Sequence, residues 1–406
     1  MRLIFVRQRG TNGNVKSYSI HDLLRDLCVR KAHEEKFLSV HGWTVPGNLP
    51  INTSYLRRVC THEPFSIEDA YRLIEEIRPA RSFLLFNGIK KNLLCGLIFE
   101  LRLLRVLDIL REIFHRDFPE EVLQLVNLSG FINFQEPNYI VMPGILDMPE
   151  LRHIKLKGRQ RTYVEYHGED KSRFVVLDKL QTLSQIAISE ISDRVIETLP
   201  NLEKLGIFWD GEVDDVRDLS PLHKLHTLKC TSFRDEGDLL SNLIFPPSLK
   251  KLTLTRCPIL NHHMSEIGKL PNLETLKLRE CDFQSGESME AEDDEFYRRG
   301  DYNYPSGKWE ANDGEFCQLQ FLVMENLRLV NWVADDTHFP RLEHLVIRRC
   351  RYLEEIPLAI GDIPTLKVIE LDEYSDSAVA SAREIQEAQL DIGNDDLQVR
   401  ILGRHY

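Results

Sequence analysis

Between Leu56 and Leu371 one apolar pattern, L-x-x-L-x-L with Ile, Val, Phe, Met or Cys allowed at its apolar positions, returns at nearly constant spacing. The clear copies are Leu104-Leu107-Ile109, Leu151-Ile154-Leu156, Leu183-Ile186-Ile188, Leu202-Leu205-Ile207, Leu225-Leu228-Cys230, Leu249-Leu252-Leu254, Leu273-Leu276-Leu278, Leu319-Leu322-Met324, Leu342-Leu345-Ile347 and Leu366-Ile369-Leu371; weaker ones start at Leu56, Ala80 and Leu128. From Leu56 onward the starts step by 24, 24, 24, 23, 32, 19, 23, 24, 24, 46, 23 and 24 residues. Nine of those twelve steps are 23 or 24, so a fixed unit is repeated, and a count of compact domains from chain length does not apply.

The last two apolar positions of each copy are two residues apart, so they face one side of a short strand while their neighbours face the other. One such unit cannot bury its apolar side alone, whereas stacked units pair their strands and share a core. The expected fold is an α/β repeat: a curved leucine-rich-repeat solenoid with a parallel sheet on its concave face and a short N-terminal helical remnant. Cys257, Cys281 and Cys350 each lie eight residues after the first leucine of their unit, the position where a small, weakly polar side chain fits inside the turn leaving the strand.

Two irregular steps mark insertions, near residues 158–173 and 281–316. The second carries Glu290, Glu292, Asp293, Asp294 and Glu295, followed by Tyr297, Tyr302, Tyr304 and Trp309. Like charges resist packing, so a solvated loop is the first reading. The interleaved aromatics make these four residues candidates for contact with a partner.

Charge and cysteine usage narrow the function. A net charge of -13 disfavours general binding to nucleic acid or to an anionic membrane. No run of 18 uncharged apolar residues exists, and Arg2 and Arg7 interrupt the apolar start, so neither a membrane span nor a signal peptide is read. The eight cysteines are nowhere closer than 24 residues, which leaves no zinc-ligand pair and fits reduced, buried thiols in a cytosolic protein. No H-E-x-x-H, G-x-S-x-G or paired-carboxylate constellation points to catalysis. The His262-His263 doublet reads as a surface turn, because adjacent side chains diverge. No metal site and no catalytic residue is expected.

Both ends carry helix signals. Ile20, Leu23, Leu24, Leu27 and Cys28 follow helical spacing behind an S-x-x-D start at Ser19 and Asp22. Residues 377–390 read as a helix that Gly393 can stop, and Leu397, Val399 and Ile401 alternate as one more strand.

Binding residues follow from the repeat phase. Offsets two, four and six from each first leucine face outward along the concave sheet. They collect His153, Lys155, Lys157, Lys229, Lys251, Lys277, Arg279 and Arg348, a basic stripe able to steer an acidic partner.

The run Ser19-Ile20-His21-Asp22-Leu23-Leu24-Arg25-Asp26-Leu27-Cys28 resembles the M-H-D-L-L-R-D-L region that closes the nucleotide-binding (NB-ARC) module of plant coiled-coil-type disease resistance proteins. Residues 339–357, from Phe339-Pro340-Arg341-Leu342 through Cys350 to Ile356-Pro357, resemble the late repeats of that family, as does the placement of Trp332. The nearest resemblance is to late-blight-resistance-like receptors, in their C-terminal part. It implies that residues 1–45 are a remnant of the winged-helix end of NB-ARC, that residues 46–374 are the repeats, and that residues 375–406 form a C-terminal helix and capping strand.

It further implies that His21, with Asp22 beside it, lies near the β-phosphate of ADP in the full-length family. ADP and ATP belong to that family; the chain itself has no G-x-x-x-x-G-K-[ST] cradle, so no cofactor is expected here. The implied function is recognition of a pathogen effector or guarded host protein and restraint of the NB-ARC switch, ending in defence and hypersensitive cell death. The implied place is the cytoplasm or the periphery of a membrane. The alternative is a leucine-rich-repeat substrate receptor of a ubiquitin ligase, or another protein-interaction scaffold.

Overall fold

A computed structural model of the 406-residue chain describes residues 4–9, 15–35, 37–41, 57–61, 78–85, 100–109, 120–132, 139–141, 144–155, 161–163, 175–209, 211, 215–232, 239–284 and 307–403. Packing divides the chain inside the repeat array, between Phe208 and Trp209.

The first unit opens with an antiparallel hairpin, β1 (Ile4–Arg9) and β2 (Val15–Ile20). Helix α1 (Asp22–Glu34) follows, capped by His21. Ser19 does not start the helix as expected; it lies in β2 opposite Phe5, and the His21 ring takes the capping role. Next come β3 (Ser39–His41), β4 (Arg58–Thr61), β5 (Ser82–Leu85), β6 (Val106–Ile109), β7 (Gly130–Ile132), β8 (Tyr139–Val141), β9 (His153–Lys155), β10 (Arg161–Tyr163), β11 (Thr182–Ala187) and β12 (Lys204–Trp209). Strands β3 to β7, then β9, β11 and β12, pair in parallel one after another, while β8 and β10 pair beside them. The sheet thus begins at Ser39, ahead of residue 46.

The second unit repeats the pattern. Its elements are β13 (Arg217–Asp218), β14 (Thr227–Ser232), β15 (Leu243–Ile244), β16 (Lys251–Thr255), β17 (Pro258–Ile259), β18 (Thr275–Arg279), β19 (Asp282–Phe283), β20 (Lys308–Glu310), β21 (Phe321–Glu325), β22 (Asn331–Val333), β23 (His344–Arg348), β24 (Val368–Asp372) and β25 (Gln398–Leu402). Strands β14, β16, β18, β21, β23, β24 and β25 form a parallel ladder, and the short pairs β13/β15, β17/β19 and β20/β22 lie outside it. Two helices complete these units: α2 (Asp193–Glu197) in the first and α3 (Asn261–Gly268) in the second.

The leucine phase explains the core. Leu252 pairs with Leu276, Leu276 with Leu322 and Leu322 with Leu345 in register, and all four are fully buried. Each contributes about 1.5–3 kcal/mol by leaving water, once per repeat. The residue before the first leucine stitches neighbouring repeats: Asn127, Asn201 and Asn272 donate to the carbonyls of Arg102, Asp178 and Pro247.

Cysteines close the turn after the strand. Arg256, Glu280, Asn326 and Arg349 adopt φ of +57°, +51°, +53° and +54°, a conformation costing a non-glycine residue on the order of 1 kcal/mol. The turn is offset by the bonds it permits. Arg256, Glu280 and Asn326 donate their N–H to the next strand's carbonyls on Arg279, Glu325 and Arg348, and the following thiols of Cys257, Cys281 and Cys350 donate back to Thr255, Arg279 and Arg348. Burial pushes Cys281 and Cys350 up to about 12, which suits packing and not redox chemistry.

Several sequence expectations are corrected. Thr182 and Leu183 pair with His153 and Ile154, so the repeat starts at Leu180 and not at Leu183. A bulge at Gln185, φ +64°, then restores register at Ile186 with Ile207. The steps of 32 and 19 become 29 and 22, both ordinary repeat lengths. Within the insertion expected near residues 158–173, Arg161–Tyr163 forms β10.

The 46-residue step is one repeat with a long excursion, because β18 pairs directly with β21, Thr275 opposite Phe321. His262-His263 is no surface turn: it opens α3, and buried His263 accepts from the Leu260 N–H and bonds Ser241. Trp309 is corrected most sharply, being fully buried between Phe283 and Trp332. Apolar ring area outweighs the acidic neighbourhood that suggested a loop.

The C-terminal elements match their sequence signals. Ser375 caps α4 (Asp376–Asp391), Gly393 at φ +84° ends it, and β25 pairs with β24. Among the described residues no helix is long and apolar enough to cross a membrane.

Candidate partner-binding face

The sheet of the second unit keeps its even-offset side chains on the face opposite the core. Because the register is unbroken from β14 to β25, these residues form three rows across the strands. The first row reads Thr227, Lys251, Thr275, Phe321, His344 and Val368. The second reads Lys229, Thr253, Lys277, Val323, Val346 and Glu370. The third ends its run with Arg279, Glu325, Arg348 and Asp372.

The predicted stripe is therefore partly brought together. Lys229, Lys251, Lys277 and Arg279 occupy three adjacent strands, and Arg348 lies two strands beyond Arg279. His153 and Lys155 stand on β9 of the first unit, where His153 bonds the Thr182 hydroxyl. Lys157, Tyr297, Tyr302 and Tyr304 lie outside the described residues. Trp309 is removed from the binding set, since a fully buried ring cannot meet a partner in the folded protein.

The stripe is also not uniformly basic. Arg279 pairs with Glu325 at 3.1 Å and Arg348 pairs with Glu370, which neutralises the charge of the two arginines. Among the described residues Lys229 and Lys251 make no ion pair. Burial, with the nearby Arg279 charge, holds Lys229 below the ordinary lysine value. Next to the lysines the face turns apolar: Phe321 and His344 stack at 4.8 Å over nearly parallel planes, beside Val323, Val346 and Val368. Burial lowers the His344 pKa, so the stack consists of neutral rings at neutral pH.

Sequence reasoning missed Glu325, Glu370 and the Phe321–His344 stack. The same even-offset rule that found the lysines reaches all four, had it been applied to every residue type and not only to basic ones.

His21 Nδ1 accepts from the Leu23 N–H at 3.2 Å, and Asp22 pairs with Arg25 at 3.1 Å. Both groups are engaged in starting α1. Among the described residues one cluster has metal-ligand spacing, Asp313, Asp335 and His338. His338 Nδ1 accepts from the Asp335 N–H, which leaves the proton on Nε2, 3.3 Å from Asp313. That tautomer donates to the carboxylates and has no free lone pair for a cation.

No family model matches the chain. It is similar over nearly its whole length to late blight resistance protein homologs of Solanum demissum. Homolog R1B-8 is 28% identical over 451 residues, covering 100% of this chain and 35% of that protein. Homolog R1B-16 is 29% identical over 443 residues, covering 99% and 32%. A third late blight resistance homolog of the same species is 28% identical over 436 residues, covering 96% and 52%. The resemblance read from the motif residues is thereby met, and the chain spans about a third to a half of the length of these relatives. Among solved structures, a plant peptide hormone receptor, RGFR1 in complex with RGF2, aligns over 86% of this chain and 67% of its own at 14% identity, with a TM-score of 0.33.

Proposed function

We propose that this chain is the recognition region, in the C-terminal part, of a plant disease resistance receptor, and that the open sheet face of its second unit docks a protein partner. The carrying observation is the similarity over nearly the whole chain to late blight resistance homologs. A face with three lysines beside a neutral aromatic stack supports it, because that mixture suits a protein surface better than a small polar substrate. The partner is a pathogen effector, a guarded host protein, or the NB-ARC module of the same receptor. Its engagement or release biases the nucleotide switch toward defence and hypersensitive cell death.

In this reading residues 1–38, ahead of β3, are the end of the NB-ARC module. Helix α1 has no buried residue, Leu23 is 67% exposed, and Phe5 on the hairpin is 44% exposed. Apolar groups left open in this number on a small element suit contact with a further module. ADP or ATP is held by that module, with His21 and Asp22 at its edge, and the work takes place in the cytoplasm or at a membrane surface.

The test rebuilds the full-length receptor with Lys229→Glu, Lys251→Glu and Lys277→Glu together, confirms its accumulation, and scores cell death with and without effector. An altered resting or triggered response is expected. Unchanged responses in a folded variant would remove the face from the mechanism.

A further inference from the structure

Across the second unit's sheet the outward residues change character twice. On β14, β16 and β18 all nine are Thr, Lys or Arg. On β21, β23 and β24 the first two rows hold Phe321, Val323, His344, Val346 and Val368, with Glu370 as the one charged residue. On β25 the same rows turn polar again, with Gln398 and Arg400. In the apolar middle the Phe321 and His344 rings stack at 4.8 Å with their planes 9° apart. Val323, Val346 and Val368 are 4%, 7% and 8% exposed, whereas both rings are only half-buried. Of these five side chains, the two rings are what the face still offers to an apolar partner.

Charge on the three rows is unbalanced in one direction, because their carboxylates are already engaged. Glu325 pairs with Arg279 at 3.1 Å, Glu370 pairs with Arg348, and Asp372 accepts the Arg349 N–H on both oxygens at 2.9 and 3.0 Å. Among the described residues Lys251 and Arg400 make no ion pair, although Arg400 donates to the Gln398 side chain at 2.6 Å. These two cations stand on opposite sides of the stack. Lys251 is on the second strand before Phe321, and Arg400 is on the second strand after His344. At about 4.8 Å between strands, each position is about 10 Å from the nearer ring across the sheet.

We propose that this face binds an extended acidic segment of a protein partner that crosses the strands, with one Leu or Phe resting on the Phe321–His344 stack and a carboxylate toward Lys251 on one side and toward Arg400 on the other. The inference rests on the partner-docking reading above and specifies the partner's chemistry. A large apolar side chain gains by covering the rings, and carboxylates meet the two cations without breaking an ion pair of the face. An extended chain advances about 3.3 Å per residue, so the acids fall about three residues before and after the anchor. A second copy of this chain docking through the same face would set cation against cation. Nucleic acid would match the cations but leave the apolar stack without a counterpart.

The experiment passes the purified 406-residue chain over an immobilised peptide pool of the form Glu-x-x-Leu-x-x-Glu, with x drawn from Ser, Thr, Gln and Ala. Two control pools replace the central Leu by Ser, or both Glu by Lys. Retention on the parent pool is expected to exceed that on the Ser pool by about tenfold, as the covering of one large apolar side chain allows, and that on the Lys pool by several-fold. Phe321→Thr, which places on β21 the residue type that β16 and β18 already carry outward, should erase the preference for Leu over Ser. Lys251→Gln with Arg400→Gln should erase the preference for Glu over Lys and leave the preference for Leu. Lys269→Gln on α3 should change neither, and circular dichroism confirms that each variant is folded.

Equal retention of the Leu and Ser pools by the unaltered chain would overturn the proposal, as would a Leu preference that survives in folded Phe321→Thr. So would a single-stranded DNA oligonucleotide retained as well as the parent pool, since the face would then serve polyanions in general. If charge reversal alters receptor signalling while the parent pool is not retained, the face still docks a partner and only this acidic, Leu-anchored chemistry falls. If neither responds, both readings fall.

Discussion

Replacing Trp309 by Ala should destabilise the second unit severely, although the residue closes an acidic stretch that looks like solvent-facing loop. The ring is fully buried and stacks at 5.5 Å on Trp332 and at 6.0 Å on Phe283. It also meets Phe316 and Phe339 edge-on at 5.8 and 5.9 Å. A buried tryptophan removes about 150–250 Å² from water, and truncation to alanine costs about 3–5 kcal/mol in well-packed cores. One term opposes this. Among the described residues the Trp309 indole N–H has no hydrogen-bond partner, and deleting it relieves about 1–3 kcal/mol of desolvation. The expected net loss is therefore about 2 kcal/mol.

With urea slopes of about 1–3 kcal/mol per molar, the unfolding midpoint should fall by roughly 0.7–2 M, read by intrinsic fluorescence and checked by circular dichroism. Trp309→Phe keeps an aromatic ring and discards the orphan donor, so it should cost less than half as much. A loss below about 0.5 kcal/mol for Trp309→Ala, the range of ordinary surface substitutions, would refute the buried placement. It would return Trp309 to the exposed loop.

Three more outcomes follow from the same packing. Leu276→Asp buries an unpaired charge at a fully buried position and should lower the melting temperature far more than Lys277→Ala on the opposite face; equal losses would mean that the in/out phase is wrong. Cys28 and Cys317 are exposed while Cys230, Cys257, Cys281 and Cys350 are buried, so alkylation of the folded protein near pH 8 should modify the first two and spare the other four until unfolding. The folded Cys350 thiol is raised from 9.0 to about 12, so the folded state holds its proton more tightly. Stability should be intact below pH 9 and fall as pH climbs from there toward 12, and a flat melting temperature across that interval would contradict the buried thiols.

The sequence alone determined the repeating strand, its inward leucines and the turn cysteines, because each depends on a local period that every repeat restates. It also placed the terminal helix and last strand, whose cap residue and stop glycine act within a few residues of themselves. Only the tertiary structure decided the rest. The start of one repeat at Leu180 was invisible because a single bulged residue at Gln185 changes which leucine pairs with Ile154. The fate of Trp309 depended on rings brought in from Phe283, Trp332 and Phe339, which no local pattern joins.

The binding face divides in the same way. Its lysines were legible from alternation, a property of one strand. That Arg279 and Arg348 are neutralised by Glu325 and Glu370, and that Lys229 and Lys251 are not, is a fact about neighbouring strands. Strand alternation is written in a few consecutive residues, but a charge is neutralised by whatever stands across the sheet, 22 to 46 residues away in the chain.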